Sequence, residues 1–327
     1  MKKLNVLFTS VGRRVVLIDL FKKALNELSV YGNVLCVDAG ENSAARYIAD
    51  IHLTVPKLND PSYINELLSI CKKYAIDILI PLIDTELFYL ATTKSSFEEI
   101  GVTVLLSSKD DIEMCGDKKL THEFFLKNNF DTPAVLDHDV ALETTSQKFP
   151  LFIKPANGSS SVNAFKVNNI NELRFFLKYV PNPILQEFVI GQEYTVDVLV
   201  DFFGKVRCVV PRLRIETRAG EVSKGITVKN PILINAAKML VEKMHKPMGC
   251  ITVQCFLTND QKIKFIEINP RFGGGFPLSC AAGANFPLWI LQMYLKQQPE
   301  IQIDSWVDSI KMLRYDDAIF LRGMDVI

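Results

Sequence analysis

No Cys-x-x-Cys pair occurs among the cysteines at positions 36, 71, 115, 208, 250, 255 and 280, so neither a zinc site nor a disulfide framework is indicated. They read as small buried apolar side chains in a reducing compartment, and the cytoplasm is the expected location. His52, His122, His138 and His245 stand apart, without metal-ligand spacing. Net charge is also lacking: 37 basic residues balance 37 acidic ones. That balance removes the long-range field that draws a protein to nucleic acid or an anionic membrane, and neither is expected as a partner. No apolar run is long enough to span a bilayer. The first one, Leu4 to Phe8, is short and is followed by Arg13-Arg14 before any small-residue cleavage site, so it reads as a buried strand.

Glycine is scarce where a dinucleotide would require it. The loop Ser10-Val11-Gly12-Arg13-Arg14 holds one glycine, not Gly-x-Gly-x-x-Gly, although Asp38 ends the second strand where a ribose-binding acid would sit. Its amides at a helix start and its arginines still favour an anion. No internal repeat, low-complexity linker or Ser/His/Asp constellation is visible.

What is present is a chain of 327 residues, suited to two or three packed subdomains. Residues 1–115 alternate strand and helix signals: strands at 5–9, 33–37, 76–81 and 102–106, helices at 15–28 and from Pro61 to about Tyr74. This predicts a doubly wound α/β domain with a parallel sheet. From Gly116 the pattern changes to α+β, with a smaller lobe over 116–185 and a larger one over 186–327. Strands are expected at 149–154, 164–167, 184–188, 192–202, 206–211, 251–258 and 262–268.

Phe149 to Lys154 is an apolar strand ending in a lysine, a charge that is costly to bury without an anionic partner. Gly158, Ser159, Ser160 and Ser161 follow as a small-residue loop able to fold over a polyphosphate. By itself the stretch suits a surface lysine before a turn equally well. Lys118, at a helix start after Gly116-Asp117, could reach the same phosphates; alone, Asp117 would be a cap beside a solvated lysine.

Residues 249–269 read as a hairpin closing near Asn259-Asp260. That register places Gln254 opposite Phe265, on one face with Glu267 and Asn269. Three oxygen-bearing side chains on one patch suit magnesium beside a nucleotide, and Arg271 could neutralise a phosphoryl group in transfer.

In order, Asp117-Lys118, Phe152-Ile153-Lys154-Pro155, Gln186-Glu187-Phe188-Val189-x-Gly191-x-Glu193 and Ile266-Glu267-Ile268-Asn269-Pro270-Arg271 resemble the ATP-grasp superfamily. Within it they look most like one synthetase half of the carbamoyl phosphate synthase large subunit. The resemblance implies a pre-ATP-grasp domain followed by a two-lobed ATP-grasp fold, with ATP and two magnesium ions as cofactors, manganese being an alternative. It implies that Lys118 and Lys154 contact phosphates, that Gln186, Glu187, Phe188 and Val189 border adenine, and that Glu193 meets the ribose. Gln254, Glu267 and Asn269 would be the metal ligands, with Arg271, Lys154 and Asn269 catalytic. The implied chemistry is activation of a carboxylate as an acyl phosphate for attack by an amine. The partners are then small-molecule acids and amines, with room for a homodimer.

Departures point away from carbamoyl phosphate synthesis itself. The chain has room for one half only, and Phe272-Gly273-Gly274-Gly275-Phe276 replaces a serine- and arginine-containing stretch. Gly273 and Gly274 are expected to leave space for an acceptor carboxylate. Arg212, Arg214, Arg218 and Lys224 could hold substrate carboxylates, and Asp84 and Glu86, after the third strand, a substrate amine. A regulatory ATP-binding module, or one subunit of a split complex, is the alternative.

Overall fold

The computed structural model describes residues 3–143, 148–157, 162–218 and 220–322. The first domain comprises β1 (Val6–Thr9), α1 (Val15–Glu27), β2 (Val34–Asp38), β3 (Ile51–Thr54), α2 (Tyr63–Lys73), β4 (Ile78–Pro81), α3 (Asp84–Thr92), α4 (Lys94–Glu99) and β5 (Thr103–Val104). Its five strands are parallel, in the order β3-β2-β1-β4-β5. The chain winds outward from β1 to β3, then returns to β4 on β1's other side. The strand order therefore reverses between β1 and β4, and the loops after these strands meet at the carboxyl edge, where such sheets bind ligands.

Two expectations change here. β3 was not foreseen, because Ile51-His52-Leu53-Thr54 is a short edge strand with alternately exposed side chains. Helix α2 starts at Tyr63 rather than Pro61, because Asp60 accepts hydrogen bonds from the Ser62 amide (2.9 Å) and hydroxyl (2.6 Å) and holds a turn there.

The middle segment contains α5 (Lys109–Gly116), α6 (Lys118–Lys127), β6 (Val135–Leu136), α7 (His138–Glu143), β7 (Leu151–Pro155), β8 (Phe165–Val167), α8 (Ile170–Tyr179) and β9 (Pro183–Glu187). Its sheet is antiparallel, ordered β6-β9-β7-β8. Asp117 caps α6 by accepting from the amides of Lys119 and Leu120.

The last segment contains β10 (Gly191–Val200), β11 (Val206–Arg218), β12 (Glu221–Thr227), α9 (Pro231–Glu242), β13 (Gly249–Thr258), β14 (Ile263–Asn269), α10 (Pro277–Ala281), α11 (Phe286–Tyr294) and β15 (Lys311–Leu313). These strands form an antiparallel sheet ordered β14-β13-β10-β11-β12-β15. β12 and β15 escaped the sequence reading because their polar, glycine-bearing stretches look like loop. They pair only because β11 runs on to Arg218 and offers an edge.

The first domain and the large sheet share one core. Phe8 and Phe21 touch edge to face at 4.9 Å, and Phe21 meets Phe272 at 5.9 Å, which packs on Phe276 at 4.8 Å. The small sheet has its own core of Leu151, Ile153, Val167, Leu173 and Leu185. No helix among the described residues is long and apolar enough to cross a membrane.

Trp306 anchors the strap that leads to β15. It is 1% exposed and its indole N–H donates to the Val209 carbonyl at 2.9 Å. Trp306→Ala is expected to cost about 3–5 kcal/mol of stability by cavity formation. Denaturant unfolding checks this; a loss below about 1 kcal/mol would show that the strap is not held by this side chain.

Candidate active site

The site forms where the β1–β4 switch point faces the large sheet. Ser10, in a left-handed conformation (φ 53°), donates its hydroxyl hydrogen to Glu86 at 2.8 Å. The Gly12 amide donates to Asp38 at 2.9 Å. The loop is thus tied on both sides and delivers Arg14 to the mouth of α1, where it lines a cavity of about 230 Å³. Asp84, at the start of α3, lines the same cavity and pairs with Arg271 across from the large sheet.

Glu86 departs from expectation. It is fully buried and accepts from Ser10, from the Tyr63 hydroxyl (2.9 Å) and from the Leu82 amide (3.0 Å). It closes the first turn of α3 instead of facing a substrate. Burial, opposed by these donors, raises its pKa.

The large sheet contributes two rows of side chains. Register aligns Arg212, Thr195, Gln254 and Glu267 across β11, β10, β13 and β14. The adjacent row aligns Asp197, Thr252 and Asn269. The expected pairing of Gln254 with Phe265 is wrong: Phe265 faces Cys255, and the hairpin closes one step later, Thr258 donating its amide hydrogen to Lys262 O at 2.9 Å. That shift alone would turn Gln254 away from Glu267. A bulge between Gln254 and Cys255 absorbs one residue and sets Gln254 directly opposite Glu267.

Glu267 is half-buried yet has no hydrogen bond or ion pair among the described residues, while the arginines nearest it are matched. Arg214 donates to Gln254 Oε1 (3.0 Å) and pairs with Glu193 (3.2 Å). Arg271 donates to Asn269 Oδ1 at 3.3 Å. No group of three or more His, Cys, Asp or Glu suited to a metal occurs among the described residues. One carboxylate with two amide oxygens fits a magnesium ion that takes its remaining ligands from phosphate and water.

Glycines 273 to 275 line the first cavity, and the space that a side chain at each would take is used by neighbouring protein groups. A Cβ on Gly273 would lie 3.1 Å from Thr252 Oγ1, on Gly274 2.5 Å from an Arg14 nitrogen, and on Gly275 2.2 Å from an Arg212 nitrogen. Lys224 lies outside the cavity, exposed and paired with Glu216 at 2.6 Å, and Arg218 pairs with Asp316 at 3.1 Å.

A second cavity, of about 220 Å³, shares Asp84, Thr85, Glu267 and Asn269 with the first and adds Lys118 and Asn157. Glu267 and Asn269 therefore stand on the seam between an arginine-lined chamber and a lysine-bearing one. Lys154 is 6% exposed, and burial pulls its pKa down to about 8, with Glu267 pulling up and Lys118 down. Gly158, Ser159, Ser160 and Ser161 lie outside the described residues.

Gln186 is buried in β9, between β6 and β7. Glu187 is held by Lys264 and the Ala134 amide; burial raises its pKa, but these bonds outweigh it and leave the pKa lowered. Phe188 packs under the Lys166 ammonium at 4.7 Å. Residues 188–190, with Val189 at their centre, join the two sheets and belong to neither. Burial raises the pKa of Glu193, with Arg214 opposing. Asp197, Thr252, Glu221 and Arg314 also shape the site. No sequence spacing marks them, since only strand order brings them together.

A family model described as the N-terminal domain of PylC-like proteins matches residues 6–105. Another, described as ATP-grasp in the biosynthetic pathway with Ter operon, matches residues 180–317. The chain is 28% identical over 137 residues to a D-alanine–D-alanine ligase of Fusobacterium nucleatum, covering 39% of this chain and 47% of that protein. It spans about half the length of the curated relatives it matches. L-amino acid ligase from Bacillus licheniformis superposes with a TM-score of 0.68 at 18% identity, over 93% of this chain and 76% of that one. The biotin carboxylase domain of Hydrogenobacter thermophilus 2-oxoglutarate carboxylase, solved with MgADP, ADP and bicarbonate, gives 0.72 at 15% identity, over 93% and 72%. The fold is the one shared by ATP-grasp enzymes, and residues 180–317 match an ATP-grasp family model, so the chain is similar to that superfamily.

Lys154 generates a stability prediction. Its folded pKa of about 8 lies below the ordinary 10.5, so the folded state disfavours the charge. That shift costs on the order of 3 kcal/mol below pH 8, and the cost fades as pH rises towards 10.5. Lys154→Met is therefore expected to be the more stable protein in denaturant unfolding at pH 7, with the gain shrinking as the pH approaches 10.5. Equal stabilities at pH 7 would show that the lysine is not buried at a cost.

Proposed function

We propose that the chain is a magnesium-ATP-dependent ligase that activates a carboxylate as an acyl phosphate and joins the acyl group to an amine. Glu267 carries this reading: a half-buried carboxylate without a hydrogen bond or ion pair among the described residues, on the seam between a chamber that holds Lys118 and a chamber with arginines. A carboxylate so placed calls for a cation. Glu267, Asn269 and Gln254 would hold magnesium, which when bound neutralises phosphate charge and draws phosphate oxygens into place. Manganese would serve in its stead.

In the reaction the acid's oxygen bonds to the γ-phosphorus of ATP, and the bond to ADP breaks with its electron pair leaving on ADP. The amine nitrogen then bonds to the acyl carbon, phosphate departs, and the amine's proton passes to solvent. Lys118 and Lys154 bind the phosphates, and Arg271, held by Asp84, offsets charge on the phosphoryl group. Residues 186–189 border the adenine and Glu193 the ribose. The sequence resemblance to a carbamoyl phosphate synthase half extends to the metal side; the filled glycine loop argues for a different acid. The names of the ligase relatives support an amino acid as one substrate.

ADP release with magnesium-ATP, measured across amino acids and small carboxylates, tests the reading. Turnover should require an acid and an amine together, and Glu267→Ala should lower it at least ~100-fold. Undiminished turnover in that variant would sink the metal assignment.

A further inference from the structure

The proposed reaction leaves one end of the arginine chamber without a task. Arg212 is held by Asp197, Arg214 by Glu193 and Arg271 by Asp84. Glu221 instead faces three guanidinium groups at once: Arg314 at 3.2 Å, Arg14 at 3.4 Å and Arg13 at 3.6 Å. Three cations on one carboxylate leave a formal surplus of two positive charges at this pole. Arg14 is the inner member, its side chain 17% exposed, and its guanidinium donates no hydrogen bond among the described residues. A nearly buried guanidinium with unused N–H groups facing a cavity is costly unless a ligand fills it.

The pole is built, not incidental. Glu86 and Asp38 fix the loop that carries Arg14. Gly274 has no side chain where the Arg14 guanidinium passes. β15 brings Arg314 alongside, its amide donating to Ser223 O at 2.9 Å and its guanidinium to Gly274 O. Arg14 feels repulsion from Arg271 and Arg314 and attraction to Glu221 and Asp84, so this pole and the metal end are electrostatically coupled.

We propose that Arg14, supported by Arg314, binds a second anionic group of the substrate, so that the acid activated near Glu267 and Arg271 is doubly charged: a dicarboxylic acid, or a carboxylic acid bearing a phosphate. The inference rests on the ligase reading for its first pole. A chamber of about 230 Å³ suits a small molecule of this kind. Glu221 already faces these guanidinium groups, and the incoming group competes with it.

Calorimetric binding in the presence of MgADP tests this. Succinate, glutarate and adipate are compared with butyrate, valerate and caproate, and 3-phosphoglycerate with glycerate. One dianionic series should bind at least about tenfold tighter than its monoanionic match, and the series that does so identifies the second group. Arg14→Gln should reduce that ratio to about one while MgADP binding persists, which shows the variant to be folded. Arg14→Lys should keep part of the preference, and Glu221→Gln should strengthen it by removing the competitor. Equal affinities within both series for the native protein, or a preference intact in Arg14→Gln, would overturn the proposal. An Arg14-dependent preference without ADP release on any acid–amine pair keeps this inference and removes the ligase reading. Full-rate turnover of monoacids by Arg14→Gln does the reverse.

Discussion

Asp197 and Arg212 form a bidentate pair at 2.7 and 2.9 Å, both essentially without exposure, beneath the floor of the site. Taking two charges out of water costs several kcal/mol each, and the attraction between them offsets this only when the remaining lone pairs are filled. Asp197 fills its own with the Ser279 hydroxyl at 2.6 Å and the Thr252 hydroxyl at 3.5 Å. The pair thereby ties β10 and β11 to α10 and β13. It also dictates the loop after Arg271: Arg212 lies where a side chain at position 275 would begin, and Thr252 where one at 273 would. Once those positions are glycine, Phe272 and Phe276 can reach the core shared with Phe21.

Charge is sorted by chemistry on the two sides of Glu267. The side proposed for the nucleotide has lysines, compact charges on flexible stems, and one of them is buried deeply enough to lose basicity. The side proposed for the acid has arginines, whose planar forks are paired with carboxylates from β10 and from the start of α3. Sequence distance is no obstacle to this sorting. Arg14, Glu221 and Arg314 come from the start, middle and end of the chain and meet because β1 lies at the centre of its sheet while β12 and β15 close the edge of another.

The parts legible in the sequence were those with local causes. Asp117 capping α6, the lysine ending β7 and the hairpin that groups Gln254, Glu267 and Asn269 all follow from residues near one another. The hairpin face came out right for an incomplete reason, since neither the later turn nor the bulge that compensates for it has a spacing signal. Glu86 was misassigned because a carboxylate just after a strand of such a sheet reads alike whether it faces a ligand or closes a helix turn. The triple glycine was legible as a need for room, but not as room for Arg14 and Arg212, because only the folded sheet brings those side chains there.

The division of cores has a mechanical consequence. The arginine chamber is walled by the first domain and the large sheet, which share one apolar core through Phe21 and Phe272. The lysine-bearing chamber instead draws Asn157 from the small lobe, whose core is separate and whose chain link to the large sheet is residues 188–190. Motion between packed bodies concentrates where few apolar contacts cross. The chamber proposed for the acid is thus walled by one packed body, whereas the chamber proposed for the nucleotide also draws on the separately packed small lobe. On the proposed reading, selectivity among acids rests on guanidinium groups already paired in place, while nucleotide affinity depends on how Lys154 and its lobe sit against the large sheet.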